Sequence, residues 1–323
     1  MTRSAAAVAA LALALTGCAA SPPLADGLPA TAPGTIELAQ TPFFPQEEHQ
    51  CGPAALATLL VASGVTVEPA DLTPEAYLPA RKGSLSLELI AATRRHGRMP
   101  WVLSTTADEM VSELESGRPV LILQNLGLPQ IPRWHYAVFV GYDAGRNVAI
   151  LRSGDRERLE MKWQRFAGAW HRGGRFAMTV LRPGEIPPTA EPARFIEAAA
   201  GLEAAGQRRA AAAAYDAAIA RWPEEPLAWL GRGNSAYAEG DREGAADAWS
   251  RAILLDPGDA AARNNLAELL LEAGCLDESR RQLERAAAAP GGDALAAAIA
   301  DTRAKVDAAT ATACRFGERI WPD

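Results

Sequence analysis

The chain has 323 residues, which is long enough for two ordinary domains and too long for one small core. It carries 39 Asp and Glu against 32 Lys and Arg, which gives a net charge of −7 and a pI near 5.3. No basic excess is available to neutralise phosphates, so the composition argues against a nucleic-acid-binding protein. Alanine is concentrated in the C-terminal third and favours helix, so we expect that third to be all-α.

Residues 1–17 have the composition of an export signal. Arg3 supplies a positive charge, and the apolar stretch from Ala5 to Leu15 is too short to span a bilayer as a mature helix. The stretch Leu15-Thr16-Gly17-Cys18 resembles the lipobox of bacterial lipoproteins, in which Leu and two small residues precede Cys. This resemblance implies cleavage before Cys18 and lipidation of that residue. The alternative is an ordinary secretory signal with a chance cysteine.

A lipidated Cys18 would anchor the protein firmly, because several acyl chains bind a membrane far better than one. Ala19 stands where such lipoproteins carry the Asp that retains them at the inner membrane. We therefore expect a cell-envelope protein held at the outer membrane and facing the periplasm. Residues 18–40 are rich in Pro, Ala and Gly, and we interpret them as a flexible tether.

The pattern over residues 41–183 mixes helices and strands. Apolar spacing and turn residues predict helices over Cys51 to Ala62, Leu85 to His96 and Ala107 to Glu115. They predict strands over Met99 to Leu103, Pro119 to Gln124, His135 to Tyr142 and Asn147 to Arg152. Because the helices come first and a β-hairpin follows, we expect an α+β domain rather than alternating βαβ units.

An internal repeat follows a proline-rich linker at residues 184–192. Glycines recur every 34 residues, and an aromatic or leucine position keeps the same step; these are Gly206, Gly240, Gly274 and Tyr215, Trp249, Leu283. The pattern resembles the tetratricopeptide repeat, a helix-turn-helix unit. It implies an all-α solenoid of three repeats over 193–290, with a capping helix and tail over 291–323. Stacked repeats form a concave groove, so we expect them to bind a protein partner or the substrate chain.

Of the four cysteines, Cys51 is the one left without a structural assignment. Export implies an oxidising compartment, in which Cys275 and Cys314 could pair. Cys51 begins a predicted helix, where main-chain N–H groups and the helix dipole favour the thiolate. The alternative is a buried cysteine that acts as a small apolar residue.

His135 is the best candidate for a base among the four histidines. It opens a predicted strand of a hairpin, and the opposite arm places residues 153–155 beside it. A core histidine with its hydrogen bonds satisfied is the alternative. His49 lies in the approach to Cys51, His96 ends a helix, and His171 belongs to a predicted surface turn.

Gln46, the stretch from Cys51 to Leu56 (CGPAAL) and the stretch from His135 to Val138 (HYAV) resemble the bacteriocin-processing branch of the papain-like cysteine peptidases. That family cuts leader peptides after paired glycines. The resemblance implies a papain-like fold with Cys51 as nucleophile and His135 as base. It also implies that Gln46 donates to the oxyanion together with the Cys51 N–H.

Two departures from the family pattern leave alternatives open. The family glutamine usually lies one residue further upstream than Gln46, so Gln50 is a second candidate for the oxyanion donor. Ser153 stands where the family has an Asp, and Asp155 follows two residues later. We take Asp155 as the residue that orients His135, with Ser153 as the alternative.

The sequence therefore predicts a lipid-anchored cysteine peptidase that hydrolyses a peptide or amide bond of a peptide or protein substrate through a thioester. No phosphate loop with Gly-Lys-Ser/Thr and no His-Glu-x-x-His zinc motif occurs, and we expect neither cofactor nor metal. One alternative is an inactive scaffold that binds envelope proteins. The other is an amidase or acyl transferase that acts on cell-wall peptides.

Overall fold

A computed structural model of the chain describes residues 28–29, 32, 34–46, 49–310, 313–317 and 319–322. The expected signal, Cys18 and most of the expected tether lie outside the described residues. Within the described part, no helix combines the length and the apolar character needed to cross a bilayer.

The first domain is an antiparallel sheet flanked by helices, which confirms the α+β class. Its helices are α1 (Cys51–Ala62), α2 (Pro69–Ala76), α3 (Ser86–Arg95), α4 (Ala107–Glu115) and α5 (Trp163–Arg172). Its strands are β1 (Thr35–Glu37), β2 (Met99–Val102), β3 (Val120–Asn125), β4 (Trp134–Asp143), β5 (Val148–Ser153), β6 (Arg156–Lys162) and β7 (Ala177–Leu181). The strand order is β2-β7-β3-β4-β5-β6, and β1 pairs with β4 beside this path.

The two faces of the sheet carry separate cores. Helices α1, α2 and α3 pack on one face, where Leu56 and Leu60 meet Val138 of β4. Helices α4 and α5 pack on the other face, where Phe166 contacts Phe139 of β4 with ring centroids 5.0 Å apart. Strand β4 thus has helices on both sides, and its first residues, Trp134 to Ala137, pair with β3.

Helix α1 is buried almost all round, whereas the sequence pattern indicated one apolar face. Every residue from Gly52 to Leu60 is buried, because α2, α3 and the sheet surround the helix. Pro53 lies in the first turn, where its missing N–H leaves no hydrogen bond unmade. The helix ends before Gly64, which adopts a φ of +89°.

The second half of the chain consists of three helix pairs and a further helix. They are α6 (Pro192–Ala204), α7 (Arg208–Arg221), α8 (Pro226–Glu239), α9 (Arg242–Leu255), α10 (Ala260–Glu272), α11 (Leu276–Ala288) and α12 (Ala296–Ala308). A Cβ on Gly231 would lie 2.3 Å from the Tyr215 ring, and one on Gly233 would lie 2.5 Å from the Trp249 ring. The glycines of α8 therefore allow the large aromatic residues of α7 and α9 to pack against its backbone. The predicted boundaries between the domains, at 183 and 193, stay predictions.

The two halves share one continuous core. Phe195 of α6 is fully buried and lies against Trp101 of β2, with ring centroids 6.3 Å apart. Arg194 stacks over the same Trp101 ring at 4.3 Å and pairs with Glu109 of α4 at 3.2 Å. The first repeat is therefore attached to the sheet by burial as well as by the chain connection.

A disulfide joins Cys275 to Cys314, which is the pairing that the sequence left open. Their Cα atoms are 4.5 Å apart. The bond ties the C-terminal tail to the start of α11, and the Pro322 carbonyl accepts a hydrogen bond from Gln282 Nε2 at 3.0 Å. Cys51 is the free cysteine of the described residues.

Candidate active site

Cys51 is the first residue of α1, at the edge of an open cleft. The cleft has a volume of about 990 Å³, and Gln46, Cys51, His135 and Tyr136 are among the residues that line it. A Cβ on Gly52 would lie only 2.2 Å from Ser84 Oγ. Glycine at that position therefore lets the segment before α3 approach the start of α1 closely.

Main-chain hydrogen bonding and burial act in opposite directions on the Cys51 thiol. The backbone of Tyr136, Gly52 and Cys51 itself hydrogen-bonds the sulfur and lowers the pKa of the thiol. Burial acts in the opposite direction and is the larger effect, so the pKa of Cys51 is raised above its ordinary value. The expectation of a thiolate favoured at the helix end is thus wrong for the free protein, because desolvation of the charge outweighs the N–H groups.

His135 is the second residue of β4, next to the Tyr136 backbone that contacts the sulfur. Its Nε2 lies 2.8 Å from Ser153 Oγ at the end of β5. Burial, and secondarily the positive charge of Arg133, lowers the pKa of His135 to about 4. The imidazole is therefore neutral at neutral pH, and its Nδ1 can take a proton in the tautomer whose Nε2–H donates to Ser153 Oγ.

Asp155 does not orient His135. Strand β5 ends at Ser153, Gly154 turns the chain with a φ of +63°, and Asp155 is exposed in that turn. If β5 continued to Asp155, that residue would lie on the same face as Ser153, but the strand ends at Ser153. The residue bonded to the imidazole is Ser153, the alternative that the sequence left open.

Gln46, rather than Gln50, lies in the cleft. Gln46 Nε2 donates to the Tyr136 carbonyl at 3.2 Å, and its Oε1 accepts from the Gly154 N–H at 3.1 Å. An amide group has a second N–H, which remains for a ligand. Gln50 instead caps α1, and its Oε1 accepts from Thr73 Oγ1 of α2 at 2.9 Å.

A family model matches the part of the chain that holds this site. The model of the Peptidase_C39 like family matches residues 38–178, and the tetratricopeptide repeat model matches residues 197–249 and 230–294. The chain carries a C39-like peptidase domain followed by tetratricopeptide repeats.

Several solved structures resemble parts of the chain. A C39-like peptidase from Bacillus anthracis is 18% identical, over 46% of this chain and 98% of that one, with a TM-score of 0.39. The peptidase domain of Streptococcus ComA, a bifunctional ABC transporter of a quorum-sensing pathway, is 19% identical, over 44% and 98%, with a TM-score of 0.36. The Sgt2 TPR domain from Aspergillus fumigatus is 22% identical, over 37% and 82%, with a TM-score of 0.33. No curated protein matches the chain.

The C39-like domain also has histidines and tryptophans that do not form the central pair. His49 lines the cleft with a φ of +66°, and His96 caps α3 with Nε2 3.3 Å from Glu75. His171 lies in the last turn of α5 rather than in the predicted surface turn, and its Nδ1 accepts from Arg175. Trp163 and Trp170 are buried in the core, whereas Trp134 is 58% exposed at the cleft.

Sequence reasoning missed the cations that line the cleft of the C39-like domain. Arg81 and Lys82 lie on the segment between α2 and α3, and Arg172 ends α5 on another wall. They are far from Cys51 in sequence, and no motif marks them. Only the fold, which packs the segment before α3 against Gly52, brings them to the site.

Proposed function

We propose that the protein is a cysteine peptidase that cleaves a peptide bond with Cys51 as nucleophile and His135 as general base. The observation that carries the proposal is the meeting of Cys51, His135 and Gln46 in one cleft. All three residues line this cleft, and Ser153 Oγ lies 2.8 Å from His135 Nε2. A buried cysteine that only packs would need none of these polar neighbours.

In the proposed reaction the Cys51 sulfur attacks the carbonyl carbon as its proton moves to His135 Nδ1. The oxyanion accepts hydrogen bonds from the Gln46 amide and from the Cys51 N–H, and one such donor contributes about 3 kcal/mol to lowering the barrier. The C–N bond then breaks, and the imidazolium returns its proton to the leaving amine. Water then attacks the thioester on Cys51, and His135 takes a proton from that water as the Cys51 thiol is released.

The proton must move during the attack, because thiol and imidazole are both neutral beforehand. The raised pKa of Cys51 and the lowered pKa of His135, near 4, argue against an ion pair in the free enzyme. Ser153 supplies a hydrogen bond but no negative charge to the imidazolium that forms. We therefore expect modest activity, with most of the rate enhancement coming from the nucleophile and the base acting together.

The repeats support binding of a protein partner. We propose that this partner is either the substrate or a protein that delivers it. The shared core around Phe195 and Trp101 supports a fixed geometry between the repeats and the cleft. We further propose that the chain is lipidated at Cys18 and faces the periplasm, on the strength of the Leu15-Thr16-Gly17-Cys18 motif.

The direct test is digestion of a peptide library derived from a bacterial proteome, followed by mass spectrometry of the new N termini. We expect new termini with the full-length protein and none with Cys51→Ala. Asp155→Asn serves as the matched control and should cleave like the wild type, because Asp155 is exposed in a turn.

Two observations also favour an alternative function, a binding scaffold without activity. The pKa of Cys51 is raised, and a neutral serine rather than a carboxylate bonds to His135. In that case the library would stay intact with the wild type and the variant alike. An acyl transferase would instead give products joined to an added amine, and these would have a mass different from that of the hydrolysis products.

A further inference from the structure

One wall of the cleft is a short turn that presents two cations. Residues Pro79–Arg81 form a 3-10 helix, and the Leu78 N–H donates to the Gly83 carbonyl at 2.8 Å to close the segment. Lys82 adopts a φ of +47°, which favours glycine and costs energy for a side chain of this size. Lys82 is the C-cap of this 3-10 helix, and its left-handed conformation turns the chain toward Gly83.

This turn lies beside the nucleophile. Ser84, two residues after Lys82, lies so close to α1 that a Cβ on Gly52 would meet its Oγ at 2.2 Å. Arg81 and Lys82 line the same cleft as Cys51. A substrate chain bound across the sulfur therefore passes the two cations within a few residues of the scissile bond.

The charges of the turn are not neutralised. Arg81 and Lys82 are exposed, and neither forms an ion pair within the described part of the chain. Arg172 adds a third cation on another wall, and the described residues that line the cleft include no Asp or Glu. The whole chain has a net charge of −7, so this concentration of positive charge runs against its overall composition.

We propose that the cleft selects acidic peptides, with Arg81 and Lys82 binding carboxylate side chains close to the scissile bond. The inference rests on the proposed peptidase function and specifies its substrate class. Exposed charges select a partner mainly through electrostatic complementarity, so the preference weakens as salt screens it.

The test measures binding separately from cleavage. The full-length Cys51→Ala protein is titrated into fluorescein-labelled peptides that differ only in having Asp, Asn or Lys at three positions, with fluorescence anisotropy as readout. We expect the Asp peptide to bind about tenfold more tightly than the Asn peptide at low salt and the Lys peptide to bind weakest, since each exposed charge pair contributes modestly. The difference should shrink in 0.5 M NaCl.

Two double variants with the same change in net charge test whether the preference for the Asp peptide comes from Arg81 and Lys82. Arg81→Glu with Lys82→Glu should abolish or reverse the preference for Asp. Arg208→Glu with Arg209→Glu, an exposed pair on α7 outside the cleft lining, should leave it intact. Circular dichroism of both variants checks that they are folded.

Equal affinity for the Asp and Asn peptides would overturn the proposal, as would an equal loss of preference in both double variants. If the wild type cleaves library peptides without acidic preference, the peptidase function stands and the substrate class fails. If Cys51→Ala binds acidic peptides but the wild type cleaves none, the selectivity of the cleft stands and the peptidase function fails.

Discussion

The state of the Cys51 thiol is set by a competition between burial and hydrogen bonding. Three main-chain N–H groups stabilise the thiolate, but removal of the sulfur from water costs more. His135 cannot compensate, because its own burial and the neighbouring Arg133 keep the imidazole neutral down to a pH of about 4. The Cys51 thiol and the His135 imidazole, which line the same cleft, are therefore both uncharged at neutral pH.

Alkylation of Cys51 should follow the raised pKa of the thiol. The reactive thiolate becomes populated only as the pH rises through that pKa, so we expect the rate with iodoacetamide to climb steadily with a midpoint above about 8.5, the ordinary thiol value. The measurement is the mass of the Cys51 peptide against time from pH 6 to pH 10. A plateau already reached at pH 7 would mean that the sulfur is ionised in the free protein.

Replacement of Ser153 by Asp should activate the pair. A carboxylate beside Nε2 stabilises the imidazolium, raises the pKa of His135 by about one to three pH units and favours the Cys51 thiolate in turn. We expect alkylation at pH 7 to become about tenfold faster. Asp155→Asn is the control and should not change the alkylation rate. If both variants change the rate equally, the residue at position 153 has no specific effect on His135.

At this scale the sequence pointed to the three residues that the structure places in the cleft, Cys51, His135 and Gln46, but it left open which residue bonds to His135. Cys51, His135 and Gln46 belong to short motifs whose spacing is local. The choice between Ser153 and Asp155 depends on where β5 stops, and Gly154 with its left-handed φ decides that. Such a turn is a property of the folded hairpin, so residue types alone left both candidates open.

Phe195 is the largest side chain of α6 in the core that the first domain shares with the repeats. Phe195 is fully buried, with Trp101 of β2 on one side and Trp222 at 5.8 Å on the other. The core of the first domain therefore continues into the first repeat, and loss of this ring should disturb both.

Phe195→Ala should lower the free energy of unfolding by about 3–5 kcal/mol, because it leaves a cavity between the two aromatic rings. Denaturant titration followed by tryptophan fluorescence measures this change. Ile320→Ala is the control, since Ile320 is 94% exposed and its truncation should have no effect. A loss below about 1 kcal/mol for Phe195→Ala would show that the two halves are held together elsewhere.

Regular elements were predicted best where the pattern was strong and local. Helices α1 and α4 have the predicted bounds, and the ends of the other predicted elements of the first domain differ by one residue. Helix α2 was missed because Pro74 lies inside it, and proline normally argues against a helix interior. Strand β6 was missed because it is charged and mostly exposed, as edge strands often are.

The described residues that line the cleft include three cations, although the whole chain has a net charge of −7. The charges that define the cleft come from the turn before α3 and from the end of α5, which are separated by about ninety residues of sequence. Periodicity and motifs predicted both domains, but they could not bring these two segments together. Only the packed sheet and helices do so, and that is why the sequence provided no basis for the proposed preference for acidic peptides.

The proposed attachment to a membrane depends on Cys18, which lies outside the described part of the chain. We expect Cys18→Ser to move the protein from the membrane fraction to the soluble fraction, because the thiol that would carry lipid is lost. Fractionation with labelling by an alkyne fatty acid measures this. Cys51→Ser is the matched control and should stay with the membrane; equal labelling of both variants would contradict lipidation at position 18.

The most direct measurement is the rate at which the wild type and His135→Ala cleave one peptide found in the library digest, at pH 7 and with Cys51→Ala as the blank. A positioned base accelerates such a step by a factor of about 100 or more, so we expect His135→Ala to lose at least that factor in kcat. The Cys51→Ala and His135→Ala proteins should bind the peptide with equal affinity. Cleavage by His135→Ala at the wild-type rate would mean that Cys51 and His135 do not act as a catalytic pair.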